Sequence, residues 1–162
     1  PLFIDDSPNM TLMEIRAKCR RLKQRNDLKL VVLDYLQLMS SGKKVESRQQ
    51  EVSEFSRSLK LLAKELDVPV IALSQLNRGS EQRTDKRPMV SDLRESGSIE
   101  QDADMVILLH REDMYNPDSD RVGEADMIIA KHRGGPTRTI PLAFSGKYSR
   151  FNNMANEAPP QY

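Results

Sequence analysis

The sequence has no tryptophan, one cysteine and few aromatic residues of any kind, 5% in all. The lone Cys19 cannot close an internal disulfide and has no second thiol for a metal site, so a reducing cytosol is the expected setting. No apolar run approaches the ~18 residues that a membrane span requires, and no signal peptide is expected. Net charge is nearly missing too: 25 Lys and Arg against 24 Asp and Glu leave +1. That balance argues against a histone-like basic protein. It leaves room for a local basic loop that binds nucleic acid. What is present suits one domain with a real core: 162 residues, 38% hydrophobic and 30% charged.

The chain starts at Pro1 and runs at once into Leu2-Phe3-Ile4, so residues 2–5 read as a strand. The expectation is a chain cut from a larger protein and entered in the middle of a sheet. Ser7-Pro8-Asn9 is turn chemistry. Thr11 with Glu14 forms a capping box, and Leu12, Ile15, Cys19 and Leu22 follow at helical spacing, which predicts a helix over 12–25. The apolar run 28–33 suits a parallel strand buried on both faces. Residues 40–46 read as a loop, and 48–66 as a long helix with Val52, Phe55, Leu59, Leu62 and Leu66 on one stripe. A second buried strand is expected at 68–73, a mobile loop at 77–90, a short helix at 91–102 and a third buried strand at 105–109. Strands at 124–132, 137–144 and near 148–153 follow, with Gly134-Gly135-Pro136 as a tight turn and 155–162 as a disordered tail. Strands alternating with helices mean βαβ units and a parallel sheet, and the closing strand-turn-strand run means an antiparallel extension. The class is α/β with a mixed sheet.

Several residues stand where such a sheet carries chemistry. Asp34 ends an apolar strand, and ligands in α/β sheets sit beyond the carboxyl ends of strands. A carboxylate there suits the water shell of a Mg²⁺ ion against a nucleotide phosphate; it also suits a plain turn. Gln75 ends the next buried strand, as a phosphate-sensing amide or as a polar lid on the core. Arg94-Glu95-Ser96-Gly97-Ser98 joins a cation to a glycine that lets backbone N–H groups approach a phosphate. An ordinary helix turn reads the same way. Lys131 and Arg133, two apart on a strand before a glycine turn, fit an arginine finger reaching a neighbouring subunit, or solvated edge charges. His110 and His132 lack companions at ligand spacing, and Cys19 falls on an apolar stripe. Lys43 and Lys44 are assigned to a solvated loop. A phosphate-cradling G-x-x-x-x-G-K-[ST] loop is missing: Gly42-Lys43-Lys44 has no glycine at the required spacing before it and no hydroxyl after it.

Four blocks in order carry a resemblance. They are Leu30-Val31-Val32-Leu33-Asp34-Tyr35-Leu36-Gln37, Val70-Ile71-Ala72-Leu73-Ser74-Gln75-Leu76, the long run from Ser91 to Asp104, and Ala130-Lys131-His132-Arg133-Gly134-Gly135-Pro136. Together they resemble the bacterial replicative DNA helicases of the DnaB family over residues 1 to about 154. The resemblance implies a RecA-like, mostly parallel sheet flanked by helices, with an antiparallel C-terminal extension and truncated on its N-terminal side. It implies ATP and Mg²⁺ as cofactors, with Asp34 as the Walker B aspartate acting on the metal. Gln75 becomes the residue that contacts the γ-phosphate region and couples it to DNA. Arg94, Glu95 and Gly97 become a channel loop gripping single-stranded DNA. Lys131 and Arg133 become the basic pair reaching the neighbour's ATP, with Arg133 the finger. The family works as a homo-hexamer moving 5′ to 3′ in the bacterial replisome, with a primase and a helicase loader as partners. Its phosphate cradle and catalytic glutamate would lie upstream of Pro1, so this chain is expected to be inactive alone. Two rivals remain at this point. A RecA-type recombinase would use a different channel loop from the Arg94–Gly97 block. A non-catalytic binding module with the same fold would also lack the cradle.

Overall fold

The computed structural model describes residues 1–8, 10–39 and 48–154. The expected turn at Asn9, the loop at 40–46 with Lys43 and Lys44, and the tail at 155–162 lie outside the described residues. The chain divides into two compact units, Pro1–Asn77 with Ser91–Ala103, and Arg78–Val90 with Asp104–Tyr162.

The first unit opens with helix α1, Leu12–Asn26. Its start follows the expected chemistry: Glu14 N–H donates to Thr11 Oγ1, and Thr11 N–H donates to the Glu14 carboxylate at 2.8 Å. These two bonds satisfy amides that the first turn leaves without carbonyl partners. Ile15 and Cys19 are buried on one face of α1. Strand β1, Val31–Leu33, pairs in parallel with strand β2, Val70–Ala72, in the register Val32 to Ile71. Helix α2, Arg48–Leu66, makes the crossover between them. Its stripe of Val52, Phe55, Leu59, Leu62 and Leu66 is buried throughout, and Phe55 is 1% exposed. Such a stripe, packed at helical spacing, contributes a continuous apolar face to this unit's core. α2 packs against α1, β2 and helix α4, Gly97–Asp102. Glu65 on α2 also binds Arg16 and Arg20 of α1.

Three strand expectations change in this unit. Residues 2–5 form no strand: Leu2 and Ile4 are more than four-fifths exposed. A strand needs a ladder partner, and none pairs with this stretch among the described residues. Its anchor is instead the ion pair of Asp5 with Lys18, 2.5 Å long. β1 and β2 are each three residues long and are not buried on both faces: Leu30, Val32, Ile71 and Leu73 are exposed while Val31 is buried. A parallel sheet is doubly buried only where helices cover both of its faces.

The second unit is an antiparallel meander of four strands. Strand β3, Met105–His110, pairs with β4, Glu124–His132, which pairs with β5, Arg138–Ser145, which pairs with β6, Arg150–Asn153. The third strand was expected to be buried, but it alternates: Val106 and Leu108 are buried, whereas Met105, Ile107 and Leu109 are exposed. One covered face and one open face is ordinary for an antiparallel sheet. The glycine turn after β4 forms as expected. At Gly135 a Cβ would stand 2.6 Å from the His132 ring, so a side chain there would force that ring to move. The stretch expected to be a mobile loop carries a helical turn, α3 at Gly79–Gln82, and its buried Pro88 and Arg87 contacts fix its far end.

Candidate functional site

The carboxyl ends of β1 and β2 form one edge, because the strands are parallel and Leu33 pairs with Ala72. Asp34 and Gln75 therefore leave neighbouring strands on the same side, as expected, and both residues are exposed. Two backbone bonds prolong the ladder past the strands: Leu73 N–H donates to the Leu33 carbonyl and Leu36 N–H donates to the Leu73 carbonyl, both at 2.9 Å. Asp34 thus sits in a bend pinned on either side of it.

Sequence reasoning missed the residue that closes this edge. Gln37 lies in a 3-10 turn, Leu36–Leu38, and its amide reaches across to the second strand. Its Nε2 donates to Ser74 Oγ at 3.1 Å and to the Gln75 carbonyl at 3.2 Å, while its Oε1 accepts from Gln75 N–H at 3.2 Å. One side chain thereby fixes both backbone polar groups of Gln75 and leaves that residue's own amide outside the clamp. Gln37 lies within the Leu30–Gln37 block but has no periodic or charge signature to mark it.

Arg94, Glu95 and Gly97 fall on continuous helical backbone: a 3-10 segment spans Val90–Ser96 and α4 begins at Gly97. Leu93 and Ile99, on either side, are buried and anchor the turn. Asn77 N–H donates to the Asp92 carbonyl at 2.9 Å, holding the start of this turn to the end of the Gln75 segment.

Lys131 lies on β4 opposite Val106 and is half-buried. Arg133 differs from expectation, since β4 ends at His132 and Arg133 belongs to the turn. The Gly134-Gly135-Pro136 reversal follows directly. Arg133 N–H donates to the Asp104 carbonyl at 2.9 Å, and its guanidinium lies 3.7 Å from the exposed Asp104 carboxylate. An exposed pair of this length contributes under ~1 kcal/mol.

Cys19 is buried, and burial pushes its thiol pKa up, which fits a core residue. His110 stacks on Tyr115 with ring centroids 6.1 Å apart, and burial, then Arg87, lowers its pKa. Also missed was Asp126 on β4, 3% exposed and bound by two arginines. Hydrogen bonding from Arg121, opposed by burial and aided by Arg87, holds its carboxyl at about 2. Among the described residues no helix is long and apolar enough to cross a membrane.

Comparison with known proteins gives one answer. A family model described as the DnaB-like helicase C terminal domain matches residues 1–153. The replicative DNA helicase DnaB of Leifsonia xyli subsp. xyli (strain CTCB07) is 77% identical over 155 residues, 96% of this chain and 34% of that protein. The replicative DNA helicase DnaC of Bacillus subtilis (strain 168) is 57% identical over 154 residues, 94% of this chain and 34% of that protein. The chain thus spans about a third of the length of these curated relatives. A solved structure of a DnaB-like replicative helicase, studied for its interactions with primase, superposes with a TM-score of 0.89 at 48% identity, covering 93% of this chain and 37% of that one. Another, described as an ATPase domain, gives 0.86 at 49% identity over 90% of this chain and 52% of its own.

Proposed function

From the premise that this chain belongs to the family of DnaB-like helicase C-terminal domains, we propose that residues 1–154 serve as the C-terminal part of a RecA-like ATPase domain in a replicative DNA helicase. The carrying observation is the shared edge where Gln37 binds Gln75 beside the Asp34 bend. Two exposed polar side chains beyond the carboxyl ends of adjacent strands are what a nucleotide phosphate and its metal require. Asp34 would hold Mg²⁺, and Gln75 would meet the γ-phosphate region. The metal, when bound with ATP, neutralises charge that develops on the phosphates. Arg133, with Lys131 beside it, reaches the ATP of the next subunit in a homo-hexamer and stabilises the same charge from outside. Arg94, Glu95 and Gly97 grip the backbone of single-stranded DNA, and the ring moves along it 5′ to 3′. Primase and a helicase loader are the expected partners, in the bacterial cytoplasm.

The 162-residue chain carries no phosphate-cradle motif. We therefore expect no ATP turnover from it in isolation, and Mg²⁺-dependent turnover from the longer helicase that contains it. Purified protein of each length, assayed for phosphate release, tests this. Turnover by the isolated chain at a rate comparable to the longer protein would overturn the proposed division of the site.

A further inference from the structure

The near-zero net charge hides a basic run in the last part of the chain. Between Asp126 and Glu157 there is no Asp or Glu, whereas Lys131, Arg133, Arg138, Lys147 and Arg150 all fall there. Other arginines of the second unit have carboxylate partners: Arg87 and Arg121 bind Asp126, and Arg111 binds Asp113. No carboxylate among the described residues pairs with Arg138, Lys147 or Arg150, and all three are exposed. Their charge is therefore not spent on holding the sheet together.

Two of these cations meet at the tip of the β5–β6 hairpin. Ser145, the last residue of β5, pairs with Arg150, the first of β6, and a 3-10 turn at Gly146–Tyr148 lies between them. Ser149 takes a left-handed conformation and donates its N–H to the Gly146 carbonyl at 3.3 Å, which gives the tip a set shape. Tyr148 is 70% exposed there, with Lys147 Nζ 5.4 Å from its ring centroid. Behind the tip, Phe151 pairs across the ladder with Phe144, ring centroids 4.9 Å apart, and the Arg111 guanidinium lies 3.9 Å from the Phe144 ring. The tip thus stands on a braced base. A ring as exposed as Tyr148 removes little apolar area from water, so packing does not account for it. What it presents is a flat π-face with a cation on either side in sequence, Lys147 and Arg150.

We propose that this hairpin tip is a second contact for single-stranded DNA, in which Lys147 and Arg150 meet phosphates and Tyr148 stacks on a base. Chemical complementarity selects the occupant. A single strand carries a phosphate at every nucleotide, and every base has a π-face for the tyrosine. An acidic protein segment would match the cations but leave the ring without a stacking partner. The proposal goes beyond the function proposed above, which puts the strand at the Arg94–Gly97 turn of the other unit, and rests on that function only for the strand as ligand.

The test titrates the assembled helicase containing this chain with a long fluorescein-labelled thymidine homopolymer, read by anisotropy across a salt series. Lys147→Ala and Arg150→Ala should each weaken binding and lower the salt slope by about 1. Tyr148→Ala should weaken binding about fivefold or more at an unchanged slope, and Tyr148→Phe, which keeps the ring, should bind like the wild type. Arg138→Ala makes the same charge change at the other end of β5, about 24 Å along the strand, and should leave the slope unchanged. All four positions are exposed, so melting temperatures should match the wild type; if one variant does not assemble, the others decide. Full affinity in Tyr148→Ala, or an unchanged slope in both Lys147→Ala and Arg150→Ala, overturns the proposal. So does an equal loss in Arg138→Ala, which would mean a diffuse effect of charge. Loss of polyglutamate binding with homopolymer binding intact would assign the tip to an acidic protein segment instead. If Arg94→Ala alone weakens binding, the tip fails and the turn stands; a wild type that binds no homopolymer removes both.

Discussion

Replacing Gln37 with alanine separates positioning from stability at the nucleotide edge. The side chain makes three hydrogen bonds of 3.1–3.2 Å to Ser74 and Gln75. Gln37 is half-buried, so water can take over much of what is lost. Each bond then contributes near the low end of the usual net ~0.5–1.5 kcal/mol, and the fold should weaken by about 1 kcal/mol or a little more. Catalysis depends on a different quantity. Without the clamp the Gln75 backbone is free to shift, and a displacement on the order of 1 Å at a reacting group can cost up to about 10²-fold in rate. The expectation for the helicase is a fall in kcat of roughly 10- to 100-fold, with the denaturant midpoint only slightly lower. Gln37→Glu adds a control. It keeps an acceptor for Gln75 N–H but removes both donor contacts, so it should rescue little. Phosphate release under single-strand saturation, paired with urea unfolding, reads both quantities. A Gln37→Ala enzyme within twofold of wild type, in a preparation where Gln75→Ala is inactive, would refute the positioning role.

Three further outcomes follow from particular residues. Arg94→Ala should weaken single-strand binding equally for all sequences and lower the salt slope by about 1, read by fluorescence anisotropy across a salt series. A sequence-selective loss would contradict a backbone grip. Phe55→Ala, at a side chain 1% exposed, should cost about 3–5 kcal/mol by chemical denaturation; a loss under ~1 kcal/mol would mean the α2 stripe is not the core. Asp126 makes the fold acid-sensitive. Its carboxyl is held at about 2 rather than 3.8, so its stabilisation is complete above the unfolded value and is lost as pH falls from about 4 toward 2. It amounts to on the order of 2 kcal/mol, and Asp126→Asn should flatten that part of the stability–pH curve.

Much of the first unit was legible because its signals are local. The capping box of Thr11 and Glu14 and the stripe from Val52 to Leu66 need only neighbours within a few turns, and both form as expected. The adjacency of Asp34 and Gln75 also followed from local pattern, since parallel strands end on one side. What escaped depends on distant partners. Residues 2–5 are as apolar as a strand yet find no ladder among the described residues. β3 pairs antiparallel with β4, a register that nothing within 105–110 encodes. Arg87 looked like one of several cations in a stretch without period, because its partners Asp126 and Thr139 are 39 and 52 residues away. Gln37 was hidden for the same reason, its three bonds lying 37 and 38 residues along the chain. The bounds of β4, 124–132, are as expected, and they leave Arg133 in the turn and not on the strand with Lys131.

The most direct test of the account lies in mixed rings. Subunits of the helicase carrying Asp34→Asn and subunits carrying Arg133→Ala should each assemble, bind nucleotide and hydrolyse ATP at roughly 10³-fold below wild type or less. Mixed in equal amounts, they place some intact Asp34 sites beside an intact Arg133 from the neighbour. The account predicts that hydrolysis then recovers to a clear fraction of the wild-type rate. Mixed rings that assemble like the wild type yet stay as inactive as either parent would contradict it.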